Sequence, residues 1–219
     1  VPFVRGGAEL MVESLVLELR KRNFDAQLIQ LPFKWYPENS LYDSMLLWRM
    51  LDLREANSEK IDLVIGTKFP SYGVEHPNKV LWITHQYRQA YDLYQTSNGL
   101  SGVQNGAEIR RKVMNYDNTV MLEAKKNYAI SKNVSSRLKQ YNNIDSSPLY
   151  HPPLLAGRYL CNDFDNYILS IGRLDPLKRN DLLINALPFC ADNIHVKIAG
   201  KGPELEPLQK LAQKLNVLD

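Results

Sequence analysis

The chain has 219 residues, of which 44% are hydrophobic and 23% charged, with a formal net charge of +3. That balance is globular and excludes a disordered or collagen-like polymer. The charge is too small to argue for nucleic acid, and no zinc-finger spacing, RNA-binding signature or Lys/Arg block supports one; an anionic small molecule or a membrane surface stays compatible. The two cysteines, Cys161 and Cys190, form no motif and point to a reducing compartment with buried thiols. No apolar run approaches the roughly 20 residues that span a bilayer, and the first five residues lack the apolar core of a signal peptide. The expectation is a cytoplasmic protein, with peripheral contact to the inner face of the membrane compatible with its charge.

Taken in order, Gly6-Gly7-Ala8-Glu9 opens a helix, with Leu10, Val12, Leu15, Val16 and Leu19 at helical spacing to about residue 22. Residues 25–31 alternate enough to predict a strand, which Pro32 ends. Residues 37–40 cap a predicted helix over 41–56. Residues 62–66 and 79–84 are continuous apolar runs, of the kind buried on both faces of a parallel sheet. A loop with Gly99, Gly102 and Gly106 leads into a long predicted helix over 107–126, which would carry Arg110, Arg111, Lys112, Lys125 and Lys126 on one solvated face. A short strand at 128–130, a helix over 133–142 and a strand at 148–150 follow.

This alternation predicts an α/β fold with a parallel sheet and helices on both faces. His151-Pro152-Pro153 interrupts it, and the residues to about Asn166 have no periodicity and read as a linker. A second α/β run then begins: strand 167–171, helix near 178–189 with Leu182, Leu183, Ala186 and Leu187 on its apolar face, strand 194–199 and helix 204–215. The predicted organisation is an N-terminal Rossmann-like domain over 1–153, a linker over 154–166 and the start of a second domain over 167–219. The chain starts in a loop and stops where another strand is due, so a first strand and a last third are expected outside it.

Several residues in this frame can carry chemistry. Gly172 opens the turn after strand 167–171, Pro176 sits where a helix can begin, and Arg173 and Lys178 stand on the loop above that strand. A strand end, a cationic loop and a helix start together can hold phosphate, although a solvated basic turn has the same pattern. Gly6 and Gly7 before a helix permit close backbone approach, or simply a tight turn; the third Gly of a dinucleotide fingerprint is missing. His85 closes the strand 79–84, where open α/β sheets place ligands, and Tyr87, Arg88 and Asp92 follow in the same loop. Ser131 precedes a helix and has the character of an N-cap. Gly200 and Gly202 flank Lys201 at the end of strand 194–199. No Asp-x-Asp or clustered carboxylates suggest a divalent metal.

In order, these elements resemble the retaining glycosyltransferases of family four: Gly-Gly-x-Glu at 6–9, the strand-end His85, Ser131 at a helix start, Gly172-Arg173 with Lys178 five residues on, and Gly200-x-Gly202-Pro203. The resemblance covers nearly the whole chain. It implies the glycosyltransferase B fold of two Rossmann-like domains, the first here lacking its first strand and the second cut short. It also implies metal-independent transfer of a sugar from a nucleotide-sugar donor to a glycan or lipid-linked acceptor, with retention of configuration and no cofactor. Arg173 and Lys178 would grip the donor diphosphate, His85 would contact the transferred sugar, and Gly6, Gly7, Gly200 and Gly202 would lie beside the donor. Tyr87, Arg88, Asp92 and Ser131 would shape the cleft or meet the acceptor. The family's paired glutamates lie further downstream and no Glu follows Glu206, so this stretch alone is expected to be inactive. A nucleotide-sugar epimerase of the same fold, or a non-catalytic nucleotide-binding module, are the rival readings.

Overall fold

The computed structural model describes residues 2–3, 6–191 and 193–218. Its chain gathers into two compact units, Val1–Gly157 and Arg158–Asp219.

The first unit is built on a four-stranded parallel sheet. Helix α1 (Gly7–Arg20) and helix α2 (Asn39–Met50) precede a small hairpin, β1 (Glu55–Ala56) with β2 (Glu59–Lys60). The sheet strands are β3 (Val64–Gly66), β4 (Lys79–Ile83), β5 (Lys126–Ala129) and β6 (Ser147–Pro148), in that spatial order. Helix α3 (Gly106–Val120) connects β4 to β5, and α4 (Lys132–Asn142) connects β5 to β6. Because each neighbour runs parallel, each connection must cross back over the sheet, and α3 and α4 supply the apolar cover. Leu81, Ile83 and Ala129 of the sheet meet Ile109, Val113 and Val120 of α3 and Val134 and Leu138 of α4 in one core. Along α3 the buried positions Gly106, Ile109, Val113, Asp117 and Val120 recur at steps of three and four, which is why this run is a helix and why it has one inner face.

Two buried polar groups tie this core together. Lys79 is fully buried, and its ammonium donates to Tyr72 O at 3.2 Å, Val120 O at 2.9 Å and Glu123 Oε2 at 2.7 Å. Arg49 reaches the same Glu123 at 2.8 Å, donates to Gly73 O and pairs with Glu75. Asp117 is fully buried and accepts from the hydroxyls of Tyr72 at 2.8 Å and Tyr91 at 2.7 Å. Burial pushes its carboxyl up to about 7, against the opposing pull of the two tyrosine hydrogen bonds. The folded value lies above the unfolded one, so the folded state holds the extra proton and Asp117 favours folding at low pH. Its contribution fades as pH rises from about 4 to about 7. Urea-melt stability of the wild type is therefore expected to fall over that interval more steeply than that of Asp117→Asn; parallel curves for the two proteins would count against it.

The second unit has a two-stranded parallel sheet, β7 (Tyr167–Ile171) with β8 (His195–Ala199), and two helices, α5 (Asn180–Ala186) and α6 (Leu205–Lys214). Leu174, Ile184, Leu208 and Ala212 form its small core, with Ile198 and Leu211 against it. Four of the five residues of β7, Tyr167, Ile168, Leu169 and Ile171, are exposed.

Several sequence expectations fail. Residues 25–31 form no strand ladder: a sequence alternation becomes a strand only with a neighbour to pair with, and a cavity separates residues 28–31 from the 67–71 turn. Helix α2 ends at Met50, short of residue 56, where Asn57 and Ser58, both at positive φ (50° and 66°), turn the chain into the β1–β2 hairpin. Helix α3 ends at Val120, because Lys125 N bonds Lys79 O and Lys126 already pairs with Val80 in the sheet. Lys125 and Lys126 therefore do not share a helix with Arg110, Arg111 and Lys112. The predicted helix near 178–189 is split: residues 176–178 and 187–189 are single tight turns flanking α5. Its inner face is also different, with Ile184 buried and Leu182 56% exposed. Both cysteines are exposed, on loops that no core covers.

Candidate functional site

In the first unit the strand ends that follow β3, β4 and β5 are stitched into one surface. Thr84 N donates to Thr67 O at 3.0 Å, and Ile130 N donates to Ile83 O at 3.1 Å. This brings Lys68, His85 and Ser131 to the carboxyl end of the sheet, where side chains are freed from the ladder and can meet a ligand.

Gly6 is the N-cap of α1, and its N–H donates to Glu9 Oε2 at 3.2 Å. Glu9 is 7% exposed, and its other carboxylate oxygen lies 3.4 Å from Lys68 Nζ. Burial raises the Glu9 carboxyl, but Lys68 and the helix-start backbone N–H groups outweigh it and hold the pKa below its ordinary value. The Gly-Gly-x-Glu stretch thus carries its own carboxylate at the helix start. A side chain at Gly7 would meet nothing within 4 Å among the described residues.

His85 is half-buried. Its Nδ1–H donates to Gln86 O at 2.6 Å, because a carbonyl can only accept, and this fixes the tautomer with Nε2 as an acceptor. Burial lowers its pKa; the Gln86 carbonyl opposes this, while the charges of Lys68, Arg88 and Arg137 add to the lowering. His85 is therefore a neutral imidazole at neutral pH. The loop beneath it is anchored from the core: Gln86 Nε2 donates to Asn142 Oδ1 at 2.8 Å, and Asn142 Nδ2 donates to Tyr91 Oη at 3.0 Å, which continues to Asp117.

Arg88 holds Asp92 through Nε at 3.0 Å and Nη2 at 2.6 Å, and Arg137 Nη1 reaches the same carboxylate at 2.9 Å. Two guanidinium groups thus share one carboxylate. The Arg137 Nε–H is buried without a hydrogen-bond partner among the described residues. Tyr87 packs its ring against Phe33 and Phe69 and donates to Gln89, and burial raises its hydroxyl to about 12. Its side chain secures the loop. Ser131 is an N-cap whose Oγ accepts from Val134 N at 3.2 Å.

In the second unit, two loops after the strand ends are fastened by backbone alone. Gly172 N donates to Ala199 O at 3.0 Å, Leu174 N to Lys201 O at 2.9 Å, and Glu204 N to Leu174 O at 3.2 Å. The approach is so close that a Cβ on Gly200 would lie 1.8 Å from Gly172 O. Gly202 has φ +157°, and a Cβ there would lie 2.1 Å from Leu174 O. Gly200→Ala is expected to pry the loops apart and destabilise this unit by about 1–3 kcal/mol, read as a lower melting temperature; an unchanged melt would contradict the packing.

Since backbone groups hold these loops, their charged side chains stay free. Arg173 is 74% exposed and only 3.7 Å from Asp175, whose carboxylate is already engaged with Leu177 N at 3.0 Å. The ammonium groups of Lys178 and Lys201 are exposed and have no ion-pair or hydrogen-bond partner among the described residues. Arg179, by contrast, is clasped by Asp181 at 2.9 Å. The surface is a cationic patch on which Lys178 and Lys201 are unpaired among the described residues and Arg173 is only loosely paired, suited to an anion with several oxygens.

The sequence pattern does not single out Lys68, Gln86, Arg137 or Lys201. Lys68 and Lys201 follow strand ends, and the rule that selects His85 could have found them. Gln86 is buried and carries no sequence signal; Arg137, in the second turn of α4, belongs to the 129–138 stretch that resembles the family's strand-Ser-helix step, but nothing in the sequence joins it to Asp92. Among the described residues, no group of three or more His, Cys, Asp or Glu comes together, and no helix is long and apolar enough to cross a membrane.

No curated protein matches the chain. Residues 158–219 match the family described as glycosyl transferases group 1. The unit that carries Gly172, Arg173, Lys178, Gly200 and Gly202 thus bears the sequence pattern of a group 1 glycosyltransferase domain.

Proposed function

We propose that this protein transfers a sugar from a nucleotide-sugar donor to a glycan or lipid-linked acceptor, without a metal and with retention of configuration. The observation that carries the reading is the pair Arg173 and Lys178, both exposed, Arg173 held only by a 3.7 Å contact to Asp175, on a turn fastened by backbone, within the segment that matches group 1 glycosyl transferases. Departure of a nucleoside diphosphate builds negative charge on phosphate oxygens. Fixed cations aimed at those oxygens stabilise the transition state more than the ground state. Gly200 and Gly202 let the two loops close on each other, and Gly172, with open space among the described residues where a side chain would stand, leaves backbone that a phosphate can approach. His85, neutral and with Nε2 open, would accept a hydrogen bond from a hydroxyl of the transferred sugar.

The test is incubation of the full-length enzyme, rather than this stretch alone, with UDP-, GDP- and ADP-sugars and candidate glycan acceptors, with the released nucleotide and the product anomer read by NMR. Release of nucleoside diphosphate, coupled to a glycoside with the donor's anomeric configuration, is the expected result. Binding of nucleotide sugar without turnover, or interconversion of the sugar without transfer, would overturn it.

A further inference from the structure

Around His85 the charges do not cancel. Lys68, Arg88 and Arg137 all act on its imidazole, while the carboxylates engaged with them are Glu9 and Asp92. One positive charge is left over at a half-buried position. It is also the better-placed kind of charge. Asp92 fixes the two guanidinium groups of Arg88 and Arg137 side by side, and Asp92 occupies only one nitrogen of Arg137. The Arg137 side chain is 15% exposed; Asp92 takes only its Nη1, and its Nε–H is buried with no hydrogen-bond partner among the described residues, so its guanidinium is only partly committed. Arginine is the residue for oxyanions, because its planar fork matches two oxygens at once.

We infer that the paired guanidinium groups of Arg88 and Arg137, in the loop that follows His85 and on α4, bind an oxyanion, and that the acceptor of the proposed transfer carries a phosphate or carboxylate group there. Only the word acceptor rests on the proposed function; the anion site stands on the residues themselves. The phosphate grip at Arg173 and Lys178 is a separate set of side chains in the other unit and would serve the donor.

The experiment follows the His85 ring by NMR in the whole chain, its signal assigned with His85→Asn. Methyl phosphate, acetate and neutral methyl glucoside are titrated in turn. A bound oxyanion offsets the surrounding cations, so it should shift the His85 signals saturably and raise the His85 pKa by about 1 unit. Arg88→Gln and Arg137→Gln should each weaken that response by about tenfold or more, and Arg137→Lys should restore part of it. Arg173→Ala should leave it intact. A response to methyl phosphate alone names a phosphorylated acceptor, and a response to acetate alone names a carboxylated one. No saturable response to either anion, an equal response to methyl glucoside, or an unchanged response in both Gln variants would overturn the inference. So would its loss in Arg173→Ala. If the anion response holds while no sugar transfer is found with any donor, the proposed function fails and the anion site remains. Transfer without an anion response keeps the proposed function and removes the anion site.

Discussion

In the full-length enzyme, Arg173→Ala and Lys178→Ala are each expected to lower sugar transfer by about 10²–10³-fold, with little change in melting temperature. The magnitude is that of removing one preorganised donor from a site where charge develops. The selectivity for rate over stability comes from the structure. Arg173 is 74% exposed with a long 3.7 Å contact to Asp175, and the Lys178 ammonium makes no bond among the described residues, so neither side chain holds the fold. Arg179→Ala is the matched control. It sits on the same turn but is committed to Asp181 at 2.9 Å, and its removal should change the rate far less. Steady-state kinetics and a thermal melt of the three variants decide the matter. Equal rates in all three would remove Arg173 and Lys178 from the chemistry.

The second large effect concerns stability. Lys79→Ala is expected to destabilise the first unit by about 3–5 kcal/mol, because it strips partners from Tyr72 O, Val120 O and Glu123 at a position with no access to water. For a domain of this size that is a fall of about 6–20 °C in melting temperature. The ammonium sits where the 71–73 turn, β4 and the end of α3 converge, with Arg49 of α2 on the same Glu123, so its loss loosens several elements at once. Lys79→Met keeps most of the volume and should recover part of the loss while the two carbonyls stay unpaired. Calorimetry on both variants checks this, and a melt within about 2 °C of wild type for Lys79→Ala would refute it.

What the sequence could reveal divides along physical lines. Strands 79–83, 167–171 and 195–199 are legible because strands of a parallel sheet carry largely apolar runs. Helices α1, α4 and α6 are legible from their spacing and from Ser131 as a cap. The end of α2 and the β1–β2 hairpin are not, since the signal there is two residues at positive φ, Asn57 and Ser58, with an otherwise helical composition around them. The strand expected at 25–31 fails for a different reason: pairing is a property of the neighbour, and periodicity sees only the strand itself. In the site, His85, Arg173 and Lys178 can be picked out because a strand end is a place that sequence can locate. Arg137 cannot, because what distinguishes it is Asp92, 45 residues away in the chain.

The fastening of the 172–174 and 199–204 loops by backbone bonds separates two properties that mutation often couples. Shape there is written in main-chain amides and in Gly200 and Gly202, while the charge on which the proposed donor site depends is carried by the side chains of Arg173, Lys178 and Lys201. Binding preference on this surface can therefore be rewritten at those three positions by directed evolution, with nearly every library member still folded. The glycines mark the border beyond which such a search would meet misfolded chains instead of new specificities.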